Sequence, residues 1–129
     1  MQHWEVIHTE QRGGFTVEIS KTWEDCHPGD LFDTSTDPAT GEPYWDIDQM
    51  CRDIDAGRLD WFQLCANVRV EGVLLGSAAL GGLLYEDARE TLKDGIAEDL
   101  ILDAMAEAQG RLTHLAQKFT MLTIKHSHT

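Results

Sequence analysis

Apolar residues recur at two different periods along the chain, and the switches between them mark its elements. Within the first twenty positions, Trp4-Glu5-Val6-Ile7-His8-Thr9 and Phe15-Thr16-Val17-Glu18-Ile19-Ser20 read as two short strands, the second strictly alternating. Gly13-Gly14 between them predicts a β-hairpin. Residues 24–45 hold all three prolines with Asp, Ser, Thr and Gly and show no sustained period, which predicts a long irregular acidic loop. A loop of that length is uncommon unless it has a function or is disordered.

Asp46 then reads as the N-cap of a short helix. Its apolar positions Ile47, Met50, Cys51 and Ile54 fall at i, i+3, i+4 and i+7, and Gly57 stands where a C-cap glycine belongs. From Trp61 to Val70 the period returns to two, with Phe62, Leu64, Ala66, Val68 and Val70 on one face. Glu71-Gly72 makes a turn, and a return strand begins at Val73 and runs to Tyr85. Its glycines imply a bulge or the close approach of another backbone. Residues 86–119 contain no proline, and Leu92, Ile96, Leu100, Ala104, Ala108, Leu112, Leu115 and Phe119 advance by threes and fours. They predict one long amphipathic helix with a potential break near Lys93-Asp94-Gly95. The order ββαββα predicts a single α+β domain spanning 1–129, an antiparallel sheet with the long C-terminal helix across its apolar face.

Composition narrows what such a domain can touch. The chain has 129 residues, 42% of them apolar, which is enough for one core. It carries 23 acidic against 10 basic side chains, a net charge of −13. Direct binding to nucleic acid or an anionic membrane needs a basic patch, so both are disfavoured as ligands. No apolar run approaches the ~20 residues that span a bilayer, and Met1-Gln2-His3-Trp4-Glu5 lacks the basic start of a signal peptide, so a cytoplasmic protein is expected. The three cysteines Cys26, Cys51 and Cys65 include no CxxC and make neither a disulfide framework nor a zinc site; reduced, buried thiols are expected.

The recognisable chemical motifs each fail at a required position. Gly76 to Gly81 fits the GxxxxG half of a phosphate loop, but Gly82 and Leu83 stand where Lys and Ser/Thr must be. Asp33-Thr34-Ser35-Thr36-Asp37 offers alternating oxygens, but Pro38 and Tyr44 replace the glycine and the bidentate glutamate of an EF-hand. Cys26-His27 with Asp25 and Asp30 could be drawn as a nucleophile and base or as metal ligands, although neighbours in sequence rarely converge on one reacting atom. No catalytic residue, cofactor site or metal site is assigned.

What remains is the placement of charge. Residues 24–60 carry 11 acids against Arg52 and Arg58, a net of −9, and residues 86–107 carry eight against Arg89 and Lys93, a net of −6. The rest of the chain is +2. On the predicted helix, Glu86, Glu90, Asp94 and Glu98 step by four, as do Asp99, Asp103 and Glu107, so five like-charged pairs would cost roughly 1–2.5 kcal/mol before screening. Rows stepping ~6 Å along a helix, together with the acidic loop, approach the charge density of a DNA strand at ~3.4 Å per phosphate. Such a surface is attracted to basic grooves that normally hold nucleic acid. The expected partner-binding residues are Asp30, Asp33, Asp37, Glu42, Asp46, Asp48, Asp53 and Asp55 from the first stretch and Glu90, Asp94, Glu98, Asp99, Asp103 and Glu107 from the second. Phe32, Tyr44 and Trp45 are the expected aromatic anchors. Trp61 and Phe62 read as core.

Asp60-Trp61-Phe62, Gly72-Val73-Leu74-Leu75-Gly76 and Leu80-Gly81-Gly82-Leu83-Leu84-Tyr85 in a small acidic chain resemble small proteins of bacteriophages and other mobile elements over about residues 60–105. That population includes anti-CRISPR and anti-restriction proteins, some of which act as DNA mimics. The resemblance implies a non-enzymatic inhibitor that binds a basic surface of a host defence complex, a CRISPR effector, and blocks its access to DNA. Two other readings stand beside it: an accessory or adaptor domain of a mobile element whose acidity serves solubility, and a small metal-dependent hydrolase using carboxylates of the 25–48 region. Leu115, Phe119, Met121, Leu122 and Ile124 continue past the expected helix end, which leaves open equally a homodimer that buries them and a fold in which they cover the sheet edge of their own chain.

Overall fold

The computed structural model describes residues 3–127, with side chains described through Leu122. The Ile124 side chain therefore lies outside the described residues. Four strands, β1 Glu5–Arg12, β2 Phe15–Trp23, β3 Asp60–Val70 and β4 Val73–Tyr85, form one antiparallel meander in the order β1-β2-β3-β4. Both hairpins close through two residues in the left-handed region, Gly13 and Gly14 at φ 53° and 89° and Glu71 and Gly72 at 50° and 78°. This is the turn whose twist matches that of paired strands. Helices α1 Pro28–Leu31 and α2 Ile47–Asp55 lie between β2 and β3; a 3₁₀ helix, Ala88–Leu92, and then α3 Ile96–Ser127 follow β4. The architecture is α+β, as the ββαββα pattern predicts, with the additional short α1 and 3₁₀ segments.

Strand alternation sends Phe15, Val17 and Ile19 of β2 and Phe62, Leu64, Ala66 and Val68 of β3 to one face. There they meet Ala97, Leu100, Ile101, Ala104 and Ala108 of α3. Trp61, Gln63, Cys65, Asn67 and Arg69 consequently point to the other face of the sheet. The glycines of β4 serve both purposes foreseen for them. Pairing with β3 shifts register between Phe62 and Leu64, beside Gly81-Gly82. A Cβ on Gly76 would run into the carbonyl of Ala104 and lie 2.9 Å from the amide of Ala108.

Three expectations are corrected. The carboxylate row drawn from Glu86 to Glu98 does not lie on one helix, because the break foreseen near Lys93-Asp94-Gly95 occurs: Gly95 takes φ 97° and Asp94 accepts from the Ile96 amide at 3.1 Å, so α3 starts afresh there. Glu86, Glu90 and Asp94 are therefore not on the helix that carries Glu98, and the only like-charged i, i+4 pairs left from the two rows are Asp99/Asp103 and Asp103/Glu107. The loop at 24–45 is not featureless: α1, a Thr36–Pro43 bridge and tight turns at Asp33 and Asp37 organise it. Its anchor is non-local, since the Trp61 indole donates to the Cys26 carbonyl at 2.7 Å and a ring series runs from Trp61 to Phe32 to Trp45 with centroids 5.9 and 5.0 Å apart. Finally, the three free thiols are half-buried instead of buried.

Arg12 fastens the first hairpin to α3. Its guanidinium meets both oxygens of Glu98 at 2.7 and 2.6 Å and also Glu10 at 2.8 Å. Hydrogen bonding to Arg12 holds both carboxyls below their ordinary range. Because the folded pKa values are depressed, this contribution is full above the unfolded carboxylate pKa and disappears as pH falls through the folded values. Arg12→Ala is expected to cost about 1 kcal/mol at neutral pH and close to nothing in acid strong enough to protonate both carboxyls in the folded state. Denaturant melts of parent and variant at both pH values check this; an equal loss at each would assign the effect to packing.

Candidate partner-binding cleft

The two acidic segments of the sequence come from opposite sides of the fold. Trp61 lies on the sheet face away from α3, so the 24–45 loop that packs on it lies on that face too, while Asp99, Asp103 and Glu107 lie on α3. The structure therefore does not merge the loop and the helical carboxylates into one phosphate-like row. The segments converge elsewhere, at the end of the sheet where β2 stops and β4 leaves. A cleft of about 550 Å³ there is lined by Asp55 from α2, Asp60 from β3 and Glu86 and Asp87 from the chain leaving β4, around Lys21 and Trp23. Lys21, Trp23 and Asp60 also line a second cleft of about 440 Å³, to which Glu5 and Asp25 contribute.

Local chemistry explains each wall. Trp23 is the last residue of β2, pairing with Phe62 on the core face, but α3 does not cover it and it stays 64% exposed. Asp55 ends α2, whose start is set by Asp46 accepting from the Gln49 amide at 3.0 Å and whose stop is set by Gly57 at φ 77°. Asp87 caps the 3₁₀ helix through the Arg89 amide at 2.9 Å. Lys21 is the cleft's lone ammonium, and Asp60 holds it at 2.7 Å. Asp55 and Glu86 make no ion pair or hydrogen bond among the described residues. An exposed indole face beside the unpaired carboxylates of Asp55 and Glu86 has the chemistry to take a guanidinium or ammonium, by cation–π attraction and charge-assisted hydrogen bonds.

The residues expected to bind a partner divide by what already occupies them. Asp33, Asp37 and Asp46 accept from backbone amides, at 2.8, 2.8 and 3.0 Å. Asp53 is held by Arg58 and Gln49, Glu98 by Arg12 and Glu107 by Arg111. Asp94 takes the Tyr85 hydroxyl at 2.5 Å; burial and then this carboxylate push Tyr85 up to about 12. Asp30, Glu42, Asp48, Asp55, Glu90, Asp99 and Asp103 are exposed and carry no such partner among the described residues. Of the anchors, Tyr44 and Trp45 are exposed, whereas half-buried Phe32 is used in holding the loop to Trp61.

Trp23, Asp60, Glu86 and Asp87 complete the cleft but were not among the expected binding residues. Their charge and aromatic character are visible in the sequence, but their convergence depends on strand pairing and on the path of the chain after β4.

The Cys26-His27 arrangement is also revised. His27 accepts from the Gly29 amide through Nδ1 at 3.0 Å and points Nε2 at Sγ of Cys51, 3.6 Å away. The Cys26 thiol is instead pushed up by burial and by the carboxylates of Asp30 and Glu24. Among the described residues, no three His, Cys, Asp or Glu side chains are gathered for a metal ion. No described helix is long and apolar enough to cross a membrane.

The comparisons supply no relative: no family model, no curated protein and no solved structure matches the chain.

Proposed function

We propose that this protein is a non-enzymatic inhibitor of a mobile element that occupies a basic, nucleic-acid-binding surface of a host defence complex, a CRISPR effector, and so blocks its access to DNA. The observation that carries the reading is the acidic cleft around Trp23. Two acidic segments far apart in sequence meet there beside an exposed ring, and the cleft's one ammonium is already neutralised. A lysine- or arginine-rich groove offers the complementary groups, and long-range attraction between a chain of net charge −13 and that groove speeds encounter. The unpaired carboxylates Asp99 and Asp103 on α3 extend the negative surface.

The test is binding of the purified chain to a CRISPR effector complex at low and moderate salt, with and without its target DNA. The expected result is an affinity that falls steeply with salt and is lost when DNA fills the channel. The triple substitution Asp99→Lys, Asp103→Lys and Glu107→Lys is expected to weaken binding at least tenfold while leaving the melting transition in place. A chain that binds no such complex at low salt would leave the adaptor reading, in which the acidity serves solubility. Unchanged binding by the triple variant would remove α3 from the interface.

A further inference from the structure

The two edges of the sheet are built differently. At one edge, β1 has 8 residues, carries Glu5, Glu10 and Arg12, and shifts register between Val6 and His8. Charge, shortness and a bulge are the devices by which an edge avoids pairing with another chain. At the other edge, β4 has 13 residues, and none of them is charged or a proline. Its pairing with β3 is irregular at two places, but residues 76–80 between them pair one for one with residues 68 to 64. Helix α3 covers the core face of β4, where Ala104 and Ala108 lie against Gly76, and the Glu24 carboxylate takes the Gly82 amide at 2.9 Å. Residues 73–80 make no backbone hydrogen bond to any described residue outside the pairing with β3. Because an antiparallel strand turns its N–H and C=O groups alternately to its two sides, this stretch presents a row of donors and acceptors away from β3.

We propose that this edge docks an extended, basic segment of a partner protein, which adds to β4 as a fifth strand. The backbone row selects the conformation, since a strand lying ~4.8 Å away is what pairs with alternating donors and acceptors. The small residues Gly76, Ser77, Ala78 and Ala79 leave room on both faces for the larger side chains of an added strand. Charge selects the partner. The uncharged strand is bounded by Glu71 in the hairpin turn and by Glu86 and Asp87 where the chain leaves it, all exposed, and Asp103 adjoins Ala104 on the helix below. Lysines or arginines at the two ends of the added segment meet these carboxylates. A second copy is disfavoured on the same ground: antiparallel pairing of β4 with itself about residue 78 sets the Glu71 and Glu86 carboxylates of two copies near one another, between chains of net charge −13. Glu86 and Asp87 also line the Trp23 cleft, so the added strand ends beside it.

The docking goes beyond the proposed inhibition and does not depend on it, so the test uses no effector complex. The probe is a short peptide of alternating threonine and valine with two lysines at each end, titrated into the isotope-labelled full chain. Amide hydrogen exchange is the readout. Those amides of residues 73–80 that exchange freely in the chain alone are expected to slow about tenfold or more at saturating peptide, and the affinity is expected to fall as salt rises. Backbone N-methylation of the peptide at alternate residues separates strand addition from ion pairing alone. One alternate set is expected to weaken binding at least about tenfold and the other to leave it within about threefold, because only one edge of the peptide faces β4. Exchange that is unchanged at millimolar peptide overturns the proposal, as does equal weakening by both methylated sets. Equal binding of a peptide with glutamates in place of the lysines overturns the choice of a basic partner. Protection of residues 73–80 that grows with the concentration of the chain alone overturns it too, by giving the edge to a second copy.

Discussion

Replacing Trp23 with alanine is expected to weaken binding to a basic partner by about 30- to 100-fold, the ~2–3 kcal/mol typical of a central aromatic anchor. Stability should change by less than about 0.5 kcal/mol. The two effects separate because of where the ring sits: it belongs to the core face of β2 by register but lies beyond the reach of α3 and remains largely exposed. Removing it leaves no internal cavity. It does remove the flat apolar surface on which a guanidinium would stack between Asp55, Asp60, Glu86 and Asp87. Isothermal titration against a CRISPR effector complex, the target proposed above, paired with a denaturant melt, reads both quantities. A Trp23→Ala protein that binds as tightly as its parent would move the interface away from the cleft. One that loses several kcal/mol of stability would show the ring to be structural.

The largest expected effect on stability belongs to Gly76. Gly76→Ala is expected to cost about 3 kcal/mol and to lower the melting temperature by about 10 °C, because the new methyl meets the backbone of Ala104 and Ala108, which no rotamer change can move aside. To admit it, α3 must lift from β4, opening the seam where Ala104 and Ala108 are fully buried. The same substitution at Gly110 should have the opposite sign. Nothing lies within 4 Å of a Cβ there, and alanine replaces glycine in a helix interior, a gain of up to about 1 kcal/mol. A thermal melt of the two variants side by side checks the pair. If both raise the melting temperature, the close approach of helix to sheet is relaxed in solution.

The elements legible in advance are those whose causes lie within a few residues. Both hairpins were readable because Gly13-Gly14 and Glu71-Gly72 can take the left-handed pair that a two-residue loop needs. Helix α2 was readable because its cap acceptor Asp46, its apolar stripe and the glycine that stops it are all local. The break at Gly95 was signalled by the Asp-Gly pair, yet the carboxylate row drawn from Glu86 to Glu98 crossed it. An i, i+4 ladder holds only while the helix is continuous, and a single residue at φ 97° ends that continuity.

The candidate site was legible in its chemistry and not in its assembly. An excess of carboxylates over cations and the presence of exposed aromatics follow from composition and pattern, since a chain of this net charge cannot pair every acid. Which carboxylates stay free depended on contacts across long sequence separations, such as Arg12 with Glu98 and Lys21 with Asp60. His27 found Cys51 instead of its neighbour Cys26 for the same reason.

By itself, then, the sequence determined the α+β class, the two hairpins, α2, the long C-terminal helix and the strongly negative charge, because hydrophobic period, turn conformation, capping and ionisation act locally. Only the tertiary structure decided that the acidic loop and the helical carboxylates lie on different sides and that Asp55, Asp60, Glu86 and Asp87 gather around Trp23. Strand register and helix-to-sheet packing set those distances, and both depend on pairings between residues that no local pattern connects.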